Sequence, residues 1–144
     1  WSVGSIRRLR KVIQSGEYKD LKKSKLVKAG MKDVEADVFI RFAHAVRFAA
    51  QDEAIRMGMT YDLCYCNMSA GGFNKDKHFV FLRDYKEHTL LVAVNFSKVE
   101  STMKLSIPQH AFEWMEIPQT ESLNVSSVLT VTVPPMDGVI LQLV

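Results

Sequence analysis

A chain of 144 residues, 47% apolar and 10% aromatic, has the length of one domain, or one domain with an appendage, and enough apolar side chains to bury a core. None of its apolar runs approaches the roughly 20 residues that a membrane span needs, and no signal peptide is visible, although a start at Trp1 rather than Met reads as a processed or excised piece whose leader could lie in the missing part. The net charge of +3 conceals an asymmetry: residues 1–32 carry ten Lys and Arg against Glu17 and Asp20, a balance of +8, while residues 33–144 carry nine against fourteen acids, a balance of −5.

The basic part opens with residues 1–13 (WSVGSIRRLRKVI), which read as a short helix. Ser2 or Ser5 could cap it, and Ile6, Leu9 and Ile13 fall near one face. Residues 14–32 read as a loop or weakly helical connector with breakers at Gly16 and Gly30. Its six lysines have little aromatic interleaving beyond Tyr18, so a solvated linker is the better reading and nucleic acid is not expected as a partner.

Residues 33–57 carry the strongest helical pattern. Val34, Val38, Phe42, Val46 and Ala49 recur at i, i+4, with Phe39 and Ala43 beside them and Glu35, Asp37, Arg41, His44 and Gln51 opposite. Asp33 is the expected N-cap and Gly58 the expected stop. The polar side mixes acids with bases, which argues against a membrane surface.

From Met59 onward the period changes to two. Residues 60–66 alternate, with Tyr61, Leu63 and Tyr65 on one face, and residues 67–75 form a loop broken at Gly71-Gly72. Residues 77–97 then read as two strands around a polar turn at Asp84-Tyr85-Lys86-Glu87. In the first, His78, Val80 and Leu82 face one way, and Phe79, Phe81 and Arg83 the other. In the second, Leu90, Val92, Val94 and Phe96 oppose Leu91 and Ala93. Apolar side chains on both faces predict a central strand of a covered sheet, with Val92 and Val94 fully buried.

Further strands are expected at 102–107, with Met103, Leu105 and Ile107 on one face, at 128–133, with Leu129, Val131 and Val133 inward, and at 139–144 after a turn at 134–138. Residues 108–118, bounded by prolines, hold one helical turn, and 123–125 is a short strand at best. The pattern predicts a mainly β fold: an antiparallel β-sandwich of about six to eight strands over residues 59–144, preceded by one short and one long N-terminal α-helix within residues 1–58.

No catalytic constellation is visible. His44, His78, His88 and His110 each stand apart from a second ligand, and Cys64 and Cys66 form neither a CxxC pair nor a zinc set. Nucleotide and serine-hydrolase motifs are missing, and Glu113 and Glu116 flank Trp114 in a short turn where solvation is the better reading. The glycosylation triplets at Asn67, Asn95 and Asn124 are common by chance and are discounted. Hence no catalytic residue, cofactor-binding residue or metal ligand is predicted.

Several stretches, in order, resemble the C-terminal end of the alpha-amylase family of glycoside hydrolases. Residues 1–9, WSVGSIRRL, look like the segment after the last strand of that family's (β/α)₈ barrel. Residues 39–58, FIRFAHAVRFAAQDEAIRMG, are similar to its final barrel helix, with Glu53-Ala54-Ile55 where a proline form is usual. Residues 78–97 resemble the strand pair "FxFLR…LLVxxNFS", and 131–141, VTVPPMDGVIL, the closing hairpin. Residues 107–114, IPQHAFEW, look like a piece seen between strands in one bacterial branch. Ala43, His44 and Ala45 depart from the helix pattern, and residues 15–31 match poorly.

The resemblance implies the last barrel helix plus the sandwich that buttresses the barrel of an enzyme acting on starch or maltooligosaccharides. The family's catalytic acids lie upstream of these stretches, so the chain is expected to be inactive alone and to partner the missing catalytic barrel. A bacterial periplasmic or extracellular setting follows from the same resemblance. Two other functions stand beside this accessory role. One is a carbohydrate-binding sandwich that takes α-glucan by stacking on Phe73, Tyr85 and Trp114, which lie in predicted loops or turns; Trp114 could equally be a core plug. The other is an unrelated protein-interaction sandwich. A helix evolved to pack on an absent barrel would leave its stripe open, so a homodimer through residues 33–57, at Val38, Phe42 and Val46, is also expected.

Overall fold

The computed structural model describes residues 23–28 and 30–144. The helix expected over 1–13 lies outside the described residues. The chain divides into two compact units, one up to Asp52 and one from Glu53 on.

In the first unit a short helix, α1 (Lys23–Lys28), precedes a long one, α2 (Asp33–Gln51). Gly30 ends α1 at φ 101°, and the Gly30 N–H bonds Val27 O at 3.0 Å while the Met31 N–H bonds Leu26 O at 3.1 Å. That pair of bonds is a Schellman closure, which needs the left-handed backbone glycine adopts freely. Leu26 then buries against Ala36 and Phe39, with Met31 and Ile40 packed beside them.

Helix α2 begins one residue earlier than expected, with Asp33 inside its first turn rather than capping it. Lys32 is the N-cap, its N–H bonded to the Glu35 carboxylate at 3.1 Å, and Asp33 and Glu35 place negative charge on the positive end of the helix dipole. The helix also ends early, because Asp52 is extended (φ −76°, ψ 124°) although its N–H still reaches Phe48 O at 2.8 Å. The expected single helix over 33–57 is therefore two. Its stripe divides as well: Phe39 and Ala43 are buried with Ala36, whereas Val34, Val38 and Phe42 are 73%, 52% and 62% exposed.

The second unit starts with the short helix α3 (Glu53–Met57). Arg83 ties α3 to the sheet, with Nε donating to Ala54 O at 3.0 Å and Nη2 to Ile55 O at 2.5 Å. Gly58 follows because a Cβ there would lie 2.3 Å from Ala54 O and 2.6 Å from Asp84 O.

Among the described residues six strands form two antiparallel sheets. Strands β1 (Met59–Asp62), β2 (His78–Tyr85), β3 (His88–Asn95) and β6 (Asp137–Gln142) make a four-stranded sheet in the order β1-β2-β3-β6. Strands β4 (Ser101–Leu105) and β5 (Leu129–Val133) make a two-stranded one. Val80, Leu82, Leu91 and Ala93 from the first sheet and Met103, Leu105, Val131 and Val133 from the second belong to one buried core. A fourth helix, α4 (Gln109–Trp114), adds Ala111 and Phe112, and Met115, Ile117 and Leu123 complete it. The expected sandwich is present, and the short strand considered at 123–125 is a turn region instead. Among the described residues no helix is long and apolar enough to cross a membrane.

The β2–β3 hairpin closes tightly. Tyr85 pairs with His88, leaving Lys86 (φ 47°) and Glu87 (φ 67°) as a two-residue turn with both residues left-handed. Without glycine or asparagine there, each residue costs on the order of 1 kcal/mol of backbone strain. Asp84, expected in the turn, lies in β2 and accepts the Thr89 hydroxyl at 2.6 Å across the ladder.

Val92 and Val94 are half-buried rather than buried. Strand β3 is central, between β2 and β6, but the core lies against Leu91, Ala93 and Asn95 on its other face. Leu90 is covered at one end of the outer face, where α3 packs over β2 and β3, and the cover stops short of Val92.

His78 is buried where β2 begins. Its Nδ1 accepts the Asn74 N–H at 3.0 Å, so the ring proton sits on Nε2 and reaches Ser101 Oγ at 2.9 Å. Burial, reinforced by the Lys77 charge, lowers its pKa. The unfolded chain thus takes up a proton before the folded one. Stability should be full above the unfolded value of about 6.5 and fall as pH drops below it towards the depressed native pKa. Urea midpoints measured across this range should decline with acid in the wild type and decline less in His78→Gln; identical profiles would show that His78 does not carry the effect.

Candidate functional site

The predicted stacking residues occupy three different settings. Phe73 is buried, its ring 5.9 Å from that of His78 within the core, which leaves it no face for a ligand; its assignment to a loop concealed a core side chain. Tyr85 is half-buried at the end of β2, with Lys86 Nζ 5.3 Å above its ring. Trp114 is 49% exposed and is the one that stands in an aromatic cluster, so it is not the core plug of the bland reading.

That cluster is assembled by two local breaks in regular structure. Strand β1 delivers Tyr61 to the core side, 7% exposed. The strand does not continue to residue 66 as its alternation predicts. Asp62 turns it, its carboxylate accepting the Cys64 N–H at 2.7 Å, and a 3-10 turn (Tyr65–Asn67) follows. Tyr65 thereby leaves the inward face and is 56% exposed. Asn67 anchors the turn: its Nδ2 donates to Leu63 O at 2.8 Å and Ser106 O at 3.0 Å, and its Oδ1 accepts the Ser106 N–H at 2.8 Å. Pro108, extended at φ −76°, starts α4, which sets His110 and Trp114 one turn apart on the same side.

Tyr61 is the hub. Its ring lies 6.2 Å from Tyr65, 5.6 Å from His110 and 6.0 Å from Trp114, all tilted. Its hydroxyl sits 2.5 Å from Tyr65 Oη and 2.8 Å from His110 Nδ1. The chain of bonds runs in one of two directions, set by the His110 tautomer: Tyr61 donates to Nδ1 and accepts from Tyr65, or the reverse. Burial first, then the bond to Tyr65, raises the Tyr61 pKa, so its phenol stays protonated. Along the same helix and just after it, Gln119 Nε2 donates to Gln109 Oε1 at 3.0 Å and Gln109 Nε2 to Glu113 Oε1 at 2.8 Å.

This arrangement can stack and hydrogen-bond; it holds no activated nucleophile. Cys64 and Cys66 are free and half-buried, and burial raises both thiol pKa values. Their Sγ atoms donate to Val80 O at 3.5 Å and Leu63 O at 3.3 Å. Among the described residues no group of three or more His, Cys, Asp or Glu gathers as metal ligands do. Two of the triplet asparagines, Asn67 and Asn95, are buried structural side chains. The sequence reading missed Tyr61, Tyr65 and His110 as a set. Tyr61 and His110 lie 49 positions apart, and only the i, i+4 spacing of His110 and Trp114 on a one-turn helix was a signal.

Residues 73–144 match the family model described as the alpha amylase C-terminal all-beta domain. No curated protein matches the chain.

Proposed function

Because this chain belongs to the family of alpha-amylase C-terminal all-beta domains, we propose that it is the non-catalytic accessory part of an alpha-amylase-like glycoside hydrolase acting on α-glucans, and that it buttresses that enzyme's catalytic barrel. The family match leaves no ground for an unrelated interaction sandwich.

One observation carries the buttress role: the outer face of the four-stranded sheet is apolar and open. Phe79 pairs with Val94, Phe81 with Val92, and Val92 with Ile140, which makes these five side chains neighbours on that face. Phe79 and Ile140 are 45% and 40% exposed, and the other three are half-buried. An antiparallel sheet that ends in water carries polar residues on its open face. An apolar one is covered by another layer in the working assembly, and the catalytic domain that accompanies this family supplies it.

The test is sedimentation velocity on this chain mixed with a separately produced catalytic domain of an alpha-amylase-like enzyme. A one-to-one complex is expected, weakened at least about tenfold by Phe79→Glu. Two species that sediment independently would overturn the proposal. A second reading has its own observation, the exposure of Val34, Val38 and Phe42 along one side of α2, where an apolar groove also involves Glu35 and Phe39. In the same experiment on the chain alone, a dimer abolished by Phe42→Glu would support self-association through the helix, and a strict monomer would exclude it.

A further inference from the structure

We propose that the cluster around Tyr61 is a surface binding site for an α-glucan chain, with Tyr65 and Trp114 as the stacking rings and Tyr61 and His110 as the groups that hold and orient them. The ligand class rests on the functional reading above; the location rests on the geometry.

Three features point to a neutral, polyhydroxylated ligand. The first is the pairing of exposed with fixed. Tyr65 and Trp114 are about half exposed, yet Tyr65 is tied through its hydroxyl to the buried Tyr61 at 2.5 Å, and Trp114 packs at 6.0 Å against the same ring. Rings restrained in this way lose little freedom on binding, which is why Tyr and Trp serve so widely as contact residues. A pyranose offers apolar C–H faces to such rings and hydroxyls at its rim.

The second feature is the polar fringe. Gln109, Glu113 and Gln119 hold one another at 2.8 and 3.0 Å along α4 and just beyond it. Planar amide and carboxylate groups present donors and acceptors together, as sugar hydroxyls require. The third is charge. Among the described residues neither Lys nor Arg takes part in this network of rings and hydrogen bonds, which does not favour phosphate or an acidic peptide as its ligand. Tyr85, the other half-exposed aromatic considered for stacking, has Lys86 on its ring instead and is left out of the site.

The experiment is a titration of the whole chain with maltoheptaose, followed by Trp fluorescence and by NMR, with cellohexaose as the control. Chemical-shift changes are expected at Tyr65, His110 and Trp114, with a Kd in the range of about 0.1 to 5 mM and cellohexaose at least about tenfold weaker. Trp114→Ala and Tyr65→Ala remove exposed side chains and should each weaken binding at least about tenfold with an unchanged melting temperature. Tyr61→Phe keeps the ring and removes the hydroxyl; binding should weaken as Tyr65 loses its tether, with the Trp114 shift retained. No shift at saturating maltoheptaose, shifts elsewhere that survive Trp114→Ala, or equal binding of both sugars would overturn the site. The sedimentation test separates this from the functional reading. A complex with the catalytic domain but no sugar shift defeats the site alone, and a sugar shift without a complex defeats the buttress alone.

Discussion

Gly72→Ala is expected to destabilise the second unit by about 3 kcal/mol or more, a fall in Tm beyond about 10 °C. Gly72 has φ 77°, and a Cβ built on it would lie 1.8 Å from Thr102 O and 2.9 Å from the carbonyl carbon. The obstacle is backbone of β4, which cannot rotate aside as a flexible side chain would. The loop must therefore lift from the strand, and the bond from the Lys104 N–H to Gly71 O at 2.9 Å would go with it. The adjacent glycine supplies the control: at Gly71 a Cβ would meet only Lys104 Cδ, at 3.7 Å. Gly71→Ala should change stability by no more than about 1 kcal/mol in either direction. Urea denaturation of both variants checks this pair, and matching midpoints would show that the loop does not depend on close approach at Gly72.

Asn95→Ala should cost a comparable amount, about 3–5 kcal/mol. Asn95 is fully buried at the end of β3, where its Nδ2 donates to Val99 O at 2.8 Å and to Val133 O and Pro134 O at 3.2 Å. Its Oδ1 accepts the Ser97 N–H at 2.9 Å and the Ser97 hydroxyl at 2.7 Å. One side chain thus joins β3 to the end of β5 and to the loop that leads into β4. Truncation leaves carbonyls facing a void, and an unpartnered buried polar group costs about 1–3 kcal/mol. Asn95→Asp, nearly the same shape, should be no better, because a carboxylate would face three carbonyl oxygens. Chemical denaturation of the two variants decides the matter; a loss below about 1 kcal/mol for Asn95→Ala would mean that water or local repacking replaces the network.

The sequence by itself determined what depends on neighbours along the chain. The two-residue period in 78–85 and 88–95 sets two strands, and the short polar gap between them sets a hairpin. The i, i+4 spacing after Asp33 sets a helix, Gly30 stops the one before it, and the strand motifs pointed to the family whose model residues 73–144 match. Periodicity is silent about which face is covered. β3 carries Leu90, Val92 and Val94 on one side and Leu91 and Ala93 on the other, all apolar, so only the position of the second sheet could leave Val92 and Val94 half open. The alternation through Tyr61, Leu63 and Tyr65 likewise contained no sign that the Asp62 carboxylate would capture the Cys64 N–H and turn Tyr65 outward. Asn67, read in a loop, and Asn95, read at the end of a strand, carried no sign of their networks, because their partners, Ser106, Val133 and Pro134, lie far along the chain. The cluster at Tyr61 is tertiary for the same reason: a hydrogen bond between Tyr61 and His110 has no local signature, and it exists only where the folded chain brings α4 against the end of β1.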